Sequence, residues 1–334
     1  MNDIRIILVG VGQIGQMLIR QIHHRKGVVL VGAVDSSPAL EDQDTGLLAG
    51  LPESGVKIKK TIKEAVATTN ADAVILTTKS SAEDIFPHIE QIINCGLPVV
   101  TTCEELSYPW QTHPELSHRL NKLAKEHEVS VLSAGVNPGF LMDLLPAVLT
   151  GVCENVQNIS ISRVQDASSR RQQFQSKIGA GLSPDDFEKK KIAGSLRHVG
   201  LTESIQMLGE ALGWKLDCVE ETLFPVIAKN GLNIPGAIPV KAGDARGVLQ
   251  YGRAYVNGVE KITLEFKAAI GEPESFDRIH INGSPSIDST IKGGVNGDIA
   301  TCSIVINAVR QLLKCERKGL LCMTDLPPAT WFAG

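Results

Sequence analysis

The chain has 334 residues, 43% of them hydrophobic and 21% charged, a composition that supplies ample core and excludes disorder and fibrous repeats. There are 33 Lys and Arg against 37 Asp and Glu, a formal net charge of -4, so no electrostatic reason exists to expect nucleic acid or a membrane as partner. Aromatic residues are only 4%, too few for a base-stacking surface; no run approaches the roughly 18 apolar residues that cross a bilayer, and an N-terminus without leader features predicts a cytoplasmic protein.

Ile4 to Gly10 is apolar after Arg5 and reads as a buried strand. Gln13 to Arg25 sets Ile14, Met17, Leu18 and Ile22 on one helical face, and Val28 to Asp35 is a second buried strand. The alternation continues with a helix over 63–69, a strand over 72–78, a helix over 82–95, a strand over 98–102, a helix over 113–127 and a strand over 129–134. Strands apolar on both faces and separated by helices require a parallel sheet covered on both sides. This predicts a Rossmann-type doubly wound α/β domain over residues 1–136.

After Gly135 the rhythm changes. An apolar helix is expected from Phe140 to Leu149, then strands near 156–166, 217–227, 247–256, 259–270 and 276–283, several alternating as an antiparallel sheet with one solvated face does. Residues 137–296 are therefore expected to form a second, α+β domain with a largely antiparallel sheet. Asp298 is expected to cap a final helix over about 299–314, with segment 297–334 packing back on the first domain. The seven cysteines are scattered without ligand spacing, so neither a disulfide framework nor a metal site is expected.

Gly10-Val11-Gly12-Gln13-Ile14-Gly15 is G-x-G-x-x-G between a strand and a helix, and Asp35 ends the next strand 20 residues after Gly15. The glycines permit the tight turn, the approach of a pyrophosphate to backbone and close helix packing, and the carboxylate suits the adenosine ribose hydroxyls. Gly10, Gly12, Gln13, Ile14 and Asp35 are thus the candidate dinucleotide-binding residues. Asp35 favours NAD, but Ser36-Ser37 can hydrogen-bond a 2'-phosphate, so NADP stays open.

Ligands in open α/β sheets lie beyond the carboxyl ends of the strands, where three segments emerge. Thr77-Thr78-Lys79-Ser80 is expected to line the cofactor through Thr78; Thr102-Cys103-Glu104-Glu105 brings two carboxylates to the nicotinamide edge, one of them a candidate acid/base; and Ala134 to Gly139 brings Asn137. Cys103 is read as packing, since no histidine is placed by sequence to activate it, and His113, His118 and His127 as surface residues of a helix. His198, in the basic part of the second domain, is a candidate pocket residue. Arg163, Arg170, Arg171 and Lys177 can grip a carboxylate or form a solvated or dimer-facing basic strip. Tyr108, Trp110, Phe140 and Phe174 are candidate walls of a small apolar pocket.

Several stretches together resemble the 2,4-diaminopentanoate dehydrogenase and native amine dehydrogenase family, within the group with a dihydrodipicolinate-reductase-like N-terminal domain. They are Val99 to Leu106, Gly135 to Phe140, Val164 to Ser168, Arg170 to Gly179, Arg197 to Ser204 and Gly297 to Thr301. The resemblance implies NAD(P)-dependent, reversible oxidative deamination of a CH-NH2 group, the reverse being reductive amination of a ketone with ammonia, in a homodimer built on the second sheet. It assigns amine handling and water activation to Glu104. The second domain holds no counterpart of the H-H-x-x-K motif of dihydrodipicolinate reductase, which argues against that activity. An imine reductase, another reductase on this scaffold, and a non-catalytic dinucleotide sensor remain the alternatives.

Overall fold

The computed structural model describes residues 3–196 and 199–333. The chain divides into two compact units, Met1–Phe140 with Asn296–Gly334, and Leu141–Val295.

The first unit is built on a seven-stranded sheet in the spatial order Gly319–Leu321, Ser130–Ser133, Val99–Thr101, Ala73–Leu76, Ile4–Val9, Val28–Val34, Ile58–Lys59. Every pairing is parallel. The apolar runs of the sequence are its central strands; Ile6, Ile7, Leu8 and Val74 to Leu76 are fully buried, as residues covered on both faces must be. Helices Gln13–His23, Ile62–Thr68, Ala82–Ile93 and Pro114–Glu126 alternate with the strands. The loop after Asp35 is knotted by buried Asp44, whose carboxylate accepts the amides of Gly46, Leu47, Ser54 and Gly55. Burial alone would raise its pKa, but these donors outweigh that and hold it at about 2.

The last helix, Gly297–Lys314, belongs to this unit. Asn296, not the expected Asp298, caps it, accepting the amides of Asp298 and Ile299 at 3.1 Å each. Both are good cap residues; the helix begins at 297, which leaves Asp298 inside the first turn, where an acid still complements the dipole. Gln21 donates to the carbonyl of Ile299 and Ser303 to Gln21, seating this helix against Gln13–His23.

The second unit holds a six-stranded sheet in the order Ile287–Lys292, Phe276–Ser284, Asn155–Asp166, Val259–Ala269, Ala245–Val256, Cys218–Ile227. All pairings are antiparallel except that of Asn155–Asp166 with Val259–Ala269. One face is covered by helix Leu201–Ala211, whose Ile205 and Leu201 lie where a Cβ on Gly252 would stand. The expected helix from Phe140 starts only at Leu144, because Asp143 caps it by accepting the Leu144 amide and Gly139 before it has a φ of 120°. Helices Gln172–Lys177 and Pro184–Ile192 occupy the basic stretch.

Candidate functional site

The strand order reverses between Ile4–Val9 and Ala73–Leu76, so the crevice of a doubly wound sheet opens at their carboxyl ends. Across that edge stand, in spatial order, Ala134–Phe140, Thr102–Glu105, Thr77–Ala82, the glycine loop and Asp35–Ser37. Glu104 therefore lies two strand spacings from the glycine loop, on the order of 10 Å.

The glycine loop is fitted closely. Gly10 has a φ of 92°, and a Cβ there would meet the Thr77 carbonyl at 2.8 Å and the Thr78 methyl at 3.0 Å. A Cβ on Gly15 would lie 2.2 Å from the Gly10 carbonyl. At Gly12 a Cβ would touch no protein atom within 4 Å, so packing within the chain does not require a glycine here. The helix it opens has neither a side-chain cap nor an acid in its first turn, which leaves its positive end for an anion. Exposed Gln13 and half-buried Ile14 begin that helix. Asp35 accepts the Val11 amide at 2.8 Å and the Ser37 amide at 2.9 Å, and Ser36 is exposed beside it. Thr77, in the segment expected to line the cofactor, donates to the Gly10 carbonyl at 2.9 Å; exposed Thr78 offers its methyl to the loop. These residues fit the pyrophosphate and adenosine half of NAD or NADP.

The space arguments separate two glycines experimentally. Gly12→Ala is expected to leave the melting temperature unchanged and to weaken NADH binding about tenfold or more. Gly15→Ala is expected to cost about 2 kcal/mol of stability. Thermal melts and fluorescence titration of both variants check the pair; a destabilised Gly12→Ala would contradict the open cradle.

The two glutamates of the next segment have different surroundings. The Glu105 carboxylate accepts the Ala82 amide at 2.9 Å and lies 3.4 Å from His113 Nε2. His113 is thus no idle surface residue: it precedes helix Pro114–Glu126 and backs the Glu105 turn. Glu104 is half-buried and opens the short 3-10 turn Glu104–Leu106 at the strand edge. Cys103 is fully buried, its thiol donating to the Ser80 carbonyl at 3.0 Å, and burial pushes the thiol far above its ordinary pKa. These surroundings disfavour a thiolate and suit packing.

Asn137 is buried, and the peptide bond to Pro138 is cis. A Cβ on Gly139 would lie 2.8 Å from the Gly135 amide and carbonyl, so the loop closes tightly on itself before half-buried Phe140. Thr301 of the last helix, without a site role in the sequence reading, accepts the Val136 amide at 3.3 Å. Trp110 packs on the core of this unit and beside the His118 ring at 5.9 Å, which accounts for it without a pocket.

In the second unit, Arg170 donates to Gln165 at 3.0 Å and stacks over Phe174 at 4.1 Å. Arg163 is neither a ligand grip nor part of a solvated strip: it is 2% exposed and paired with Asp277 at 2.7 Å. His198 lies outside the described residues. No cluster of three or more His, Cys, Asp or Glu fit for a metal occurs among the described residues, nor is any helix among them long and apolar enough to cross a membrane.

A doubly wound sheet carrying this glycine loop, with a carboxylate turn at its carboxyl edge, defines a dinucleotide-dependent oxidoreductase. Known proteins narrow the class. The profile of the 2,4-diaminopentanoate dehydrogenase C-terminal domain matches residues 140–334, and that of the dihydrodipicolinate reductase N-terminus matches residues 4–107. The chain is 32% identical to 2,4-diaminopentanoate dehydrogenase of Acetoanaerobium sticklandii over 98% of its own length and 94% of the relative's. It is 24% identical to an amine dehydrogenase of Streptomyces virginiae, over 97% and 96%. The structure of an amine dehydrogenase from Mycobacterium smegmatis superposes with a TM-score of 0.87 at 22% identity, covering 99% of this chain and 98% of that one. The chain belongs to the 2,4-diaminopentanoate dehydrogenase family.

Proposed function

We propose that this protein is an NAD(P)-dependent amine dehydrogenase that interconverts a CH-NH2 group and a carbonyl, with 2,4-diaminopentanoate or a small aliphatic amine as substrate. Amine, oxidised cofactor and water give ketone, ammonia, reduced cofactor and a proton. The cofactor, when bound, accepts the hydride lost by the amine-bearing carbon. The observation that carries the reading is the place of the Cys103-Glu104-Glu105 turn: it brings half-buried Glu104 to the sheet's carboxyl edge, two strands from the glycine loop, while Glu105 accepts a helix N-terminal amide.

Glu104 pairs with the substrate ammonium, takes its proton and passes it to solvent; as a carboxylate again, it stabilises the iminium left after hydride loss and deprotonates the water that attacks it. Asn137 and Phe140, on the neighbouring loop, are assigned to the cofactor and substrate respectively. In the second unit, Arg170, stacked on Phe174, and His198 are assigned to the substrate. The relatives' printed activities, a diaminopentanoate and an amine dehydrogenase, support the amine as the reacting group. We place the enzyme in the cytoplasm, where its seven free cysteines would stay reduced. We read the assembly as a homodimer through the second sheet, where exposed Phe224 pairs beside Leu249 and Tyr251 follows.

The test is ammonia dependence. NADH or NADPH is mixed with a panel of ketones and amino ketones, and absorbance of the reduced nicotinamide is followed. Oxidation only when ammonium is present is the expected result; equal oxidation without it would move the protein to the imine and carbonyl reductases.

A further inference from the structure

The turn that carries Glu104 is fastened at alternate residues. On one side of Glu104, the Cys103 carbonyl accepts Ser133 Oγ at 2.6 Å, and the Cys103 thiol donates to Ser80. On the other, the Glu105 amide donates to the same Ser80 carbonyl at 3.3 Å, and its carboxylate takes the Ala82 amide at 2.9 Å. Two residues later, Ser107 Oγ meets Ser133 Oγ at 3.1 Å. The Glu105 carboxylate is 16% exposed and backed by His113. Ala82 is the first residue of helix Ala82–Ile93, whose amino-terminal amides lack partners within the helix. Glu105 and the Cys103 thiol thus reach from the turn to the loop after the Ala73–Leu76 strand, which faces the glycine loop through Thr77, and of the two Glu105 is the one that takes a helix N-terminal amide.

Resting on the assignment of Glu104 above, we propose that Glu105 is a positioning residue: by holding the Ala82 amide it fixes the angle at which the turn presents Glu104 to the reacting carbon. The bond requires an acceptor at this reach rather than a charge. A glutamine keeps that acceptor; an aspartate keeps the charge but withdraws it by one methylene. A carboxylate that served only to stabilise the fold would change the melting temperature without changing the turnover of the folded enzyme. One that positions a reacting group acts on kcat, since small misplacements of such a group are costly.

The experiment compares Glu105→Ala, Glu105→Asp, Glu105→Gln and Glu104→Ala, with NADH affinity by fluorescence and melting temperature recorded for each. Glu105→Ala is expected to lose about tenfold or more in kcat, with KM for the amine and the affinity for NADH little changed. Glu105→Gln is expected to recover turnover to within about threefold of the parent, and Glu105→Asp to fall between. Undiminished kcat in Glu105→Ala, or a glutamine variant as slow as the alanine one, would overturn the positioning role and leave Glu104 untouched. Full turnover in Glu104→Ala would instead overturn the assignment of Glu104, and this proposal with it. If Glu105→Ala does not fold, the order of the glutamine and aspartate variants decides: aspartate matching or exceeding glutamine overturns the role.

Discussion

Replacing Glu104 by alanine is expected to lower kcat for amine oxidation by about 10²- to 10⁴-fold, the range associated with loss of a positioned general base. The substitution should act on chemistry alone. The turn around residue 104 is held by Cys103, Glu105 and Ser107, and the glycine loop and Asp35 lie two and three strands away, so NADH binding is expected to remain within about twofold of the parent. Glu104→Gln separates the roles further. It fills the same space but cannot accept the substrate's proton or counter an iminium charge, so it should be nearly as slow as the alanine variant. Steady-state kinetics with fluorescence titration of NADH checks both; a variant that keeps most of its turnover shows that the base lies elsewhere.

The second large effect concerns stability. Arg163 and Asp277 form an ion pair in the interior of the second unit, 2% and 5% exposed. Both also grip the backbone of Val295: Asp277 accepts its amide at 2.8 Å, and Arg163 and Gln165 donate to its carbonyl at 3.0 and 2.9 Å. Removing one partner strands a buried charge and frees that backbone, so Arg163→Met is expected to cost about 3–5 kcal/mol. In a unit of this size that lowers the melting temperature by roughly 10 °C. Asp277→Leu should cost as much. The double variant should recover most of the loss, because two apolar side chains need no desolvation of charge. Calorimetry on the three variants tests this; a double variant as unstable as the sum of the singles would show that Val295, rather than charge pairing, is what the two residues serve.

Particular residues show what the sequence could reveal. Ile4–Val9, Val28–Val34 and Ala73–Leu76 are legible because burial on both faces forces continuous apolar runs. Strands Ile58–Lys59 and Gly319–Leu321 are two and three residues long; pairing partners create them, and no pattern of that length can announce them. The last helix was legible but its cap was not, since Asn296 and Asp298 are equally able to present a side-chain oxygen that accepts the first amides. Ser183-Pro184-Asp185-Asp186 was a readable signal for helix Pro184–Ile192: Ser183 accepts the Asp186 amide at 3.2 Å, with proline at the first helical position.

The site divides the same way. Glycine spacing is legible because one loop performs the whole task locally. The use of Glu105 is not, because its partner amide lies 23 residues away, and the fate of Arg163 depends on an aspartate 114 residues on. Local composition marked both as charges near a site; only folding shows that one is a strut and the other a core residue.

The first unit is interrupted by the second. Its edge strand Gly319–Leu321 and its last helix follow the whole of Leu141–Val295 in sequence, and Ser130 waits 187 positions for the Arg317 carbonyl it will bond. During synthesis the nascent sheet therefore emerges with its Ser130–Ser133 edge unpaired and with Val136 lacking Thr301. At about 5–20 residues per second, that edge is open for something on the order of ten seconds or more, a template for pairing with other chains. The second unit, continuous in sequence, can fold within that interval, and the dinucleotide-binding half is finished last, although it is translated first.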